Sequence, residues 1–322
     1  MKQFNGIFLT VIVPFYNEEE NLPILHRELL ETLEKLDYKS EVIYINDGSS
    51  DDSVSLLKEA INKRKSGRVS VKLIAFKRNF GQTAAVTAGI EYSEGKLVSF
   101  LDSDLQNDPQ DIPRFLDEMK EGYDAVFGWR KERKDATIRS LLSRIANKIV
   151  KIVFAYPFHD VGCSARIVKR EFLVNLQLYG ELHRIMPVLI YLKGAKIGEI
   201  IVKHRERYKG ESKYGFERII KTVVDIITVK FLSSYGTRPA YVFGTFGLGS
   251  LFISGLALIG SAYKKIFLGV FVHRDPLFLI AIFFGLVGIQ FIMMGLLAEL
   301  QVRTYFESQG KPIYEVKNIE KY

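Results

Sequence analysis

Apolar positions in the first 130 residues follow two rhythms. Runs of strand length, Ile7–Val13, Glu41–Asn46, Val71–Phe76, Leu97–Leu101 and Asp124–Gly128, alternate with stretches where apolar residues return every three or four positions. The first such stretch carries Leu22, Leu25, Leu29, Leu33 and Leu36, and others cover roughly Asp51–Lys65, Gln82–Tyr92 and Ile112–Glu121. Unbroken apolar runs suit strands covered on both faces, and a 3.6-residue period suits helices with one buried stripe. Strand and helix in strict alternation predict an α/β fold, Rossmann-like, with a doubly wound, mainly parallel sheet and right-handed crossovers. No Gly-x-Gly-x-x-Gly follows the first strand, which argues against a dinucleotide-binding domain.

The pattern changes after residue 210. Phe216, Ile219, Ile220, Val223, Val224, Ile227 and Phe231 form one apolar face, with Arg218, Lys221 and Asp225 opposite, as in a helix lying at a membrane interface. Ala240–Ala262 and Leu277–Ala298 contain no charged residue, and Gln290 is the only strong polar group of the second. At 1.5 Å per residue each exceeds a hydrocarbon core of roughly 30 Å, so two transmembrane helices are expected. Glycines 244, 247, 249, 255 and 260 would permit close helix contact, compatible with a homo-oligomer. The expected organisation is an α/β domain over 1–210, a juxtamembrane helix over 211–236, a transmembrane pair over 237–300 and a tail over 301–322.

Charge narrows the partners. The net charge of +8 is concentrated: Arg130–Lys151 holds eight Lys or Arg against two acids, and Lys203–Lys221 seven against three. Beside membrane spans, such clusters point to anionic lipid or phosphate ligands and not to nucleic acid. The single cysteine, Cys163, excludes a disulfide framework and suits a packed small residue better than a nucleophile. Met1–Gly6 lacks the order of a signal peptide. The soluble part and both termini are therefore expected on the cytoplasmic side, in a bacterium at the cytoplasmic membrane.

The candidate chemistry centres on Ser99–Pro109, where an apolar run delivers Asp102 and Asp104 to a strand end. Ligands of open α/β sheets sit at that edge. Two carboxylates there repel unless a cation offsets them, and Mg²⁺ takes one or two carboxylates with water and phosphate oxygens. Asn17, Glu18 and Asp47 follow earlier strands and converge on the same edge. Asn79-Phe80-Gly81, ahead of a small-residue helix, would offer backbone donors to an anion. Arg130 ends the fifth strand on this edge, and Arg139 and Ser143 share one helix face beyond it.

Four ordered motifs, Pro14-x-Tyr16-Asn17-Glu18, Asn46-Asp47-Gly48-Ser49, Arg78-Asn79-Phe80-Gly81-Gln82 and Asp102-x-Asp104-Leu105-Gln106, resemble those of family 2 glycosyltransferases of the polyprenyl-phosphate type. The resemblance implies a GT-A fold and transfer of a sugar from a nucleotide-diphosphate donor to a polyprenyl phosphate, inverting and metal-dependent. It implies Mg²⁺ or Mn²⁺ at Asp104 and Gln106. On the donor it implies Pro14, Tyr16, Asn17, Glu18, Asp47, Arg78, Asn79, Asp102 and Ser103, with Arg207 and Lys213 of a basic loop. It implies Arg130, Arg139 and Ser143 on the acceptor phosphate, and a catalytic set of Asp102, Asp104, Arg130 and Asp160, the last to orient the sugar or act as a base. A processive polysaccharide synthase is disfavoured, because two spans are too few for a polymer channel and no Gln-x-x-Arg-Trp is present; Trp129 is the only tryptophan. A non-catalytic scaffold would have no need of intact Asp102, Asp104, Gln106 and Arg130.

Overall fold

The structure is a computed structural model that describes residues 6–63, 67–131, 147–148, 150–174, 176, 178, 181–205, 226–231, 235 and 239–309. Arg139, Ser143, Arg207, Lys213, most of the expected interfacial helix and residues 310–322 lie outside the described residues. The chain divides into two compact units, Met1–Ile226 and Ile227–Tyr322.

The first unit is built on a seven-stranded sheet. Its strands are β1 (Leu9–Phe15), β2 (Ser40–Asn46), β3 (Val69–Ala75), β4 (Leu97–Phe100), β5 (Ala125–Trp129), β6 (Arg166–Lys169) and β7 (Ile197–Ile201), in the order β3-β2-β1-β4-β6-β5-β7. Neighbouring strands are parallel except β6, which runs antiparallel between β4 and β5. The doubly wound, mainly parallel sheet is thus as expected. Helices α1 (Leu22–Leu33), α2 (Ser53–Asn62), α3 (Gln82–Glu91) and α4 (Ile112–Lys120) fill the crossovers. Leu22, Leu25, Leu29 and Leu33 of α1 are fully buried and share a core with Val11, Val13, Val42 and Tyr44. Each such leucine stabilises the unit by roughly 1.5–3 kcal/mol.

The first strand lies two residues later than the expected Ile7–Val13, so Pro14 is a buried strand residue and not part of a loop. The reason is local. The Ile12 carbonyl accepts the Leu101 N–H, and by strand alternation Pro14 faces the same side two residues on, where β4 has already ended at Phe100. The missing proline N–H therefore removes no ladder bond.

In the second unit, helices Pro239–Leu268 and Pro276–Gln309 are packed against each other. A Cβ on Gly247 would lie 2.9 Å from the Gly288 carbonyl oxygen, and the buried Ser254 hydroxyl donates to the Ala281 carbonyl at 2.6 Å. The small residues therefore set the seam, while Leu248, Phe252, Ile259, Phe283 and Leu286 are exposed. Apolar surface on this scale is at home in lipid. The apolar lengths, 30 residues for Pro239–Leu268 and 27 for Pro276–Val302, correspond to about 45 and 40 Å, enough to cross a hydrocarbon core. The pair makes a two-pass integral membrane hairpin. Its turn is tighter than the interval 263–276 left between the two expected spans: the first helix continues to Leu268, and Asp275 pairs with Lys264 at 3.2 Å and caps the Leu277 N–H. The second helix also continues past residue 300 to Gln309.

Candidate active site

The carboxyl ends of β1, β2, β4 and β5 deliver the candidate residues to one edge. After β1, Asn17 takes a left-handed backbone, φ 54°, and cross-braces the loop after β2. Its N–H donates to Ser49 Oγ at 3.0 Å and its side-chain oxygen accepts the Ser50 N–H at 2.9 Å. The Glu18 N–H donates to Ser53 Oγ at 2.8 Å, and the Glu18 carboxylate accepts from Asn21 at 2.6 Å. Asn17 and Glu18 thus tie the loop after β1 to the loop after β2, with Tyr16 half-buried beside them.

Asp47 is buried, and both carboxylate oxygens are engaged by backbone, accepting the Phe80 N–H at 2.7 Å and the Gly81 N–H at 2.9 Å. The expectation that Asn79-Phe80-Gly81 presents backbone donors to an anion is corrected here, because two of those N–H groups donate to Asp47. Gly48 makes the approach possible: φ is +74°, and a Cβ there would lie 2.4 Å from the Arg78 carbonyl carbon. Arg78 and Asn79 stay exposed, with the Arg78 guanidinium 4.1 Å from the centre of the Phe80 ring.

Asp102 is half-buried and accepts the Gln82 side-chain amide at 2.9 Å. Desolvation and the neighbouring Asp104 push its carboxyl above the ordinary value, against the pull of the Ser164 hydroxyl, Arg166 and Arg130. Ser103 and Asp104 are buried. Leu105 has φ 62°, which turns the chain so that the Gln106 N–H donates to Asp104 Oδ1 at 3.2 Å. Beyond β7, the chain returns along this turn: Arg205 N–H donates to the Gln106 carbonyl at 2.9 Å, and His204 Nε2 lies 3.5 Å from Gln106 Nε2. Arg205 anchors the return through Glu28 at 2.7 Å and Asp108 at 2.8 Å.

Arg130 leaves β5 into a bidentate pair with buried Asp160, Nε to Oδ2 at 2.7 Å and Nη2 to Oδ1 at 3.0 Å; Asp160 also accepts the Gly162 N–H at 3.1 Å. Both Asp160 oxygens are therefore engaged, which suits orientation and not proton abstraction. Cys163 is buried, and burial pushes its thiol up to about 11, in keeping with a packed residue. His183 is buried with Nδ1 2.6 Å from Thr83 Oγ1. The edge thus brings together Asp47, Asp102, Ser103, Asp104, Gln106 and Arg130 with Asp160.

Sequence reasoning left three residues of this edge unassigned. Gln82 stood within a quoted motif as the first residue of α3. His204 follows β7 by three residues, and Glu199, on β7, accepts the His159 and Asp160 N–H groups. The last two become visible only once β7 is recognised as a strand.

Residues 10–176 match the family model described as Glycosyl transferase family 2. The chain is 34% identical over 318 residues to a dodecaprenyl-phosphate galacturonate synthase of Rhizobium johnstonii, covering 97% of this chain and 92% of that one. It is 33% identical over 319 residues to an undecaprenyl-phosphate 4-deoxy-4-formamido-L-arabinose transferase of Pseudomonas fluorescens, covering 99% and 92%. Among solved structures, glucosyl-3-phosphoglycerate synthase from Mycobacterium tuberculosis, in complex with Mn²⁺, uridine diphosphate and phosphoglyceric acid, superimposes with a TM-score of 0.55 at 16% identity, covering 71% of this chain and 78% of that one. That likeness is one of fold, the GT-A-like sheet. With the strand-end carboxylates, the membrane hairpin and relatives alike through nearly its whole length, the chain belongs to glycosyl transferase family 2.

Proposed function

We propose that this glycosyltransferase moves one sugar from a nucleoside-diphosphate donor to the phosphate of a polyprenyl phosphate held in the membrane, with inversion. The observation that carries this reading is the reach of the likeness to polyprenyl-phosphate sugar transferases, 97% of the chain, both apolar helices included. A likeness confined to the nucleotide-binding fold would leave the acceptor open.

The donor occupies the carboxyl edge of the sheet. Tyr16, Asn17, Glu18 and Asp47 frame its nucleoside end, with Pro14 supporting the wall from within β1. Arg78, Asn79, Asp102 and Ser103 line the way to the diphosphate, and Arg207 and Lys213 are assigned to it by resemblance. A divalent cation, Mg²⁺ or Mn²⁺, fits the donor set of Asp104 and Gln106 with His204 beside them. Two adjoining carboxylates, with Asp102 raised by desolvation and then by Asp104, favour a cation at this place. Among the described residues no three His, Cys, Asp or Glu side chains cluster as a complete metal cage. That suits an ion whose remaining positions go to diphosphate oxygens and water. When bound, the ion offsets the charge that gathers on the departing diphosphate.

Arg130 receives the acceptor phosphate, with Arg139 and Ser143 assigned to it by resemblance. A guanidinium fork matches a phosphate monoester in shape and charge. The acceptor oxygen bonds to the anomeric carbon from the side opposite the diphosphate, whose bond to that carbon breaks in the same step. A phosphate ionised near neutral pH requires no base, and Asp160 acts by holding Arg130. The catalytic domain, with both chain ends, faces the cytoplasm; an even number of spans puts the ends on one side, and nucleotide sugars are made there.

The test uses the full-length chain in nanodiscs with Mg²⁺ and a panel of UDP- and GDP-sugars. Release of nucleoside diphosphate should require undecaprenyl phosphate. Equal release with undecaprenol, which lacks the phosphate, would overturn the reading.

A further inference from the structure

Glu199 is a carboxylate in an unexpected place. It sits in the middle of β7 opposite Phe127, its side chain 10% exposed. The ladder to β5 needs no side chain there, and a buried carboxylate carries a desolvation cost that an apolar residue would avoid. Its oxygens instead gather the loop that follows Phe158. Oε1 accepts the His159 N–H at 2.8 Å and the Asp160 N–H at 3.3 Å, and Oε2 lies 2.6 Å from His159 Nδ1. An imidazole nitrogen at that distance from a carboxylate is the donor, so Nδ1 carries a proton.

The same loop is held from two more sides. The His159 ring stacks on Trp129 with centroids 4.1 Å apart and planes 15° from parallel. Asn147 donates to the His159 carbonyl at 3.1 Å and accepts the Val161 N–H at 3.4 Å. Trp129 is the residue before Arg130, and Asp160 is the residue after His159. Both ends of the Arg130–Asp160 pair are thus attached to one clamp, and Glu199 is its centre.

We infer that Glu199 is a positioning residue of the acceptor-phosphate subsite: through His159 and Asp160 it sets the direction in which Arg130 presents its guanidinium to the phosphate monoester. The inference deepens the proposed function and rests on Arg130 being a ligand of that phosphate. Asp160 takes the Nε and Nη2 edge of the fork, so the Nη1 edge is turned away from the carboxylate. A bidentate contact tolerates little rotation, and a loosened clamp misaims the fork without removing its charge.

The experiment titrates undecaprenyl phosphate into nanodiscs carrying the full-length chain and follows emission from Trp129, the only tryptophan. Glu199→Gln keeps an oxygen for the backbone N–H groups but sets an amide N–H against His159 Nδ1–H. It should weaken lipid-phosphate binding about tenfold, the weight of one hydrogen bond to a charged group. The KM for undecaprenyl phosphate should rise by the same factor, with kcat and the thermal midpoint at wild-type values. His159→Asn removes a half-exposed ring and should weaken binding in the same direction, with the thermal midpoint read alongside. Arg130→Lys keeps the charge, loses the fork, and should weaken it at least as much. Wild-type affinity in both Glu199→Gln and His159→Asn would overturn the inference. So would a loss in Glu199→Gln that comes with a lowered thermal midpoint, because the role would then be structural. Wild-type affinity in Arg130→Lys would remove the reading of Arg130 itself, whatever Glu199→Gln does.

Discussion

Asp47→Asn separates a carboxylate that braces a loop from one that touches the donor. Asp47 is buried, and its two oxygens accept the N–H groups of Phe80 and Gly81 at 2.7 and 2.9 Å. Asparagine keeps the volume and one acceptor but points an amide N–H at the second backbone N–H. Losing a hydrogen bond to a charged group costs about 1.5–3 kcal/mol, and a buried N–H left unsatisfied about 1–3 more. Taking about 3 kcal/mol for the sum, the open form of the 78–81 loop gains about 100-fold in population. Lys77 and Arg78 make that form readable, since trypsin cleaves after either, and cleavage follows the open population when reclosing is fast. The expected result is cleavage about 100-fold faster, together with weaker donor binding, because the same loop leads into Gln82 and its bond to Asp102. Wild-type cleavage with transfer abolished would refute the brace and leave Asp47 as a direct ligand.

Three further outcomes are expected. Asp104→Asn should abolish transfer, with no recovery at raised Mg²⁺ and a folded state unchanged by circular dichroism; full activity of the wild type in excess EDTA would count against the metal assignment. In the hairpin, an ideal Cβ on Gly285 lies 3.9 Å from the Ser254 Cβ, within disulfide range, so Ser254→Cys with Gly285→Cys in a Cys163→Ser background should cross-link on mild oxidation. A mobility shift on non-reducing gels reads this, and its absence would contradict the seam. For orientation, His273→Cys in that background should react with a membrane-impermeant maleimide in intact cells. His273 is the position to use because it is exposed, whereas Ser261, at the same end, is buried; labelling only after lysis would invert the proposed topology.

Five of the seven strands were legible because each is a short run dominated by apolar and β-branched residues, set between helix-periodic stretches. β6 and β7 were not, for separable reasons. β6 has four residues, Arg-Ile-Val-Lys, and its antiparallel place between β4 and β5 depends on partners far along the chain. β7, Ile-Gly-Glu-Ile-Ile, carries a glycine and the carboxylate whose purpose lies outside the sheet. The site divides along the same line. Asp102, Asp104 and Arg130 could be singled out by their position at strand ends, whereas Gln106 entered only through the family resemblance. The engagement of Asp47 could not, since its acceptors serve N–H groups more than thirty residues later. Nor could His204, which approaches Gln106 only because β7 returns the chain to that turn.

The most direct test of the central claim is the mass of the lipid product. After reaction with the matching donor, undecaprenyl phosphate should be recovered as a phosphodiester one sugar heavier, labile to mild acid, with no species carrying two or more sugars. A ladder of longer chains, or a sugar attached to undecaprenol without phosphate, would contradict single transfer to a polyprenyl phosphate.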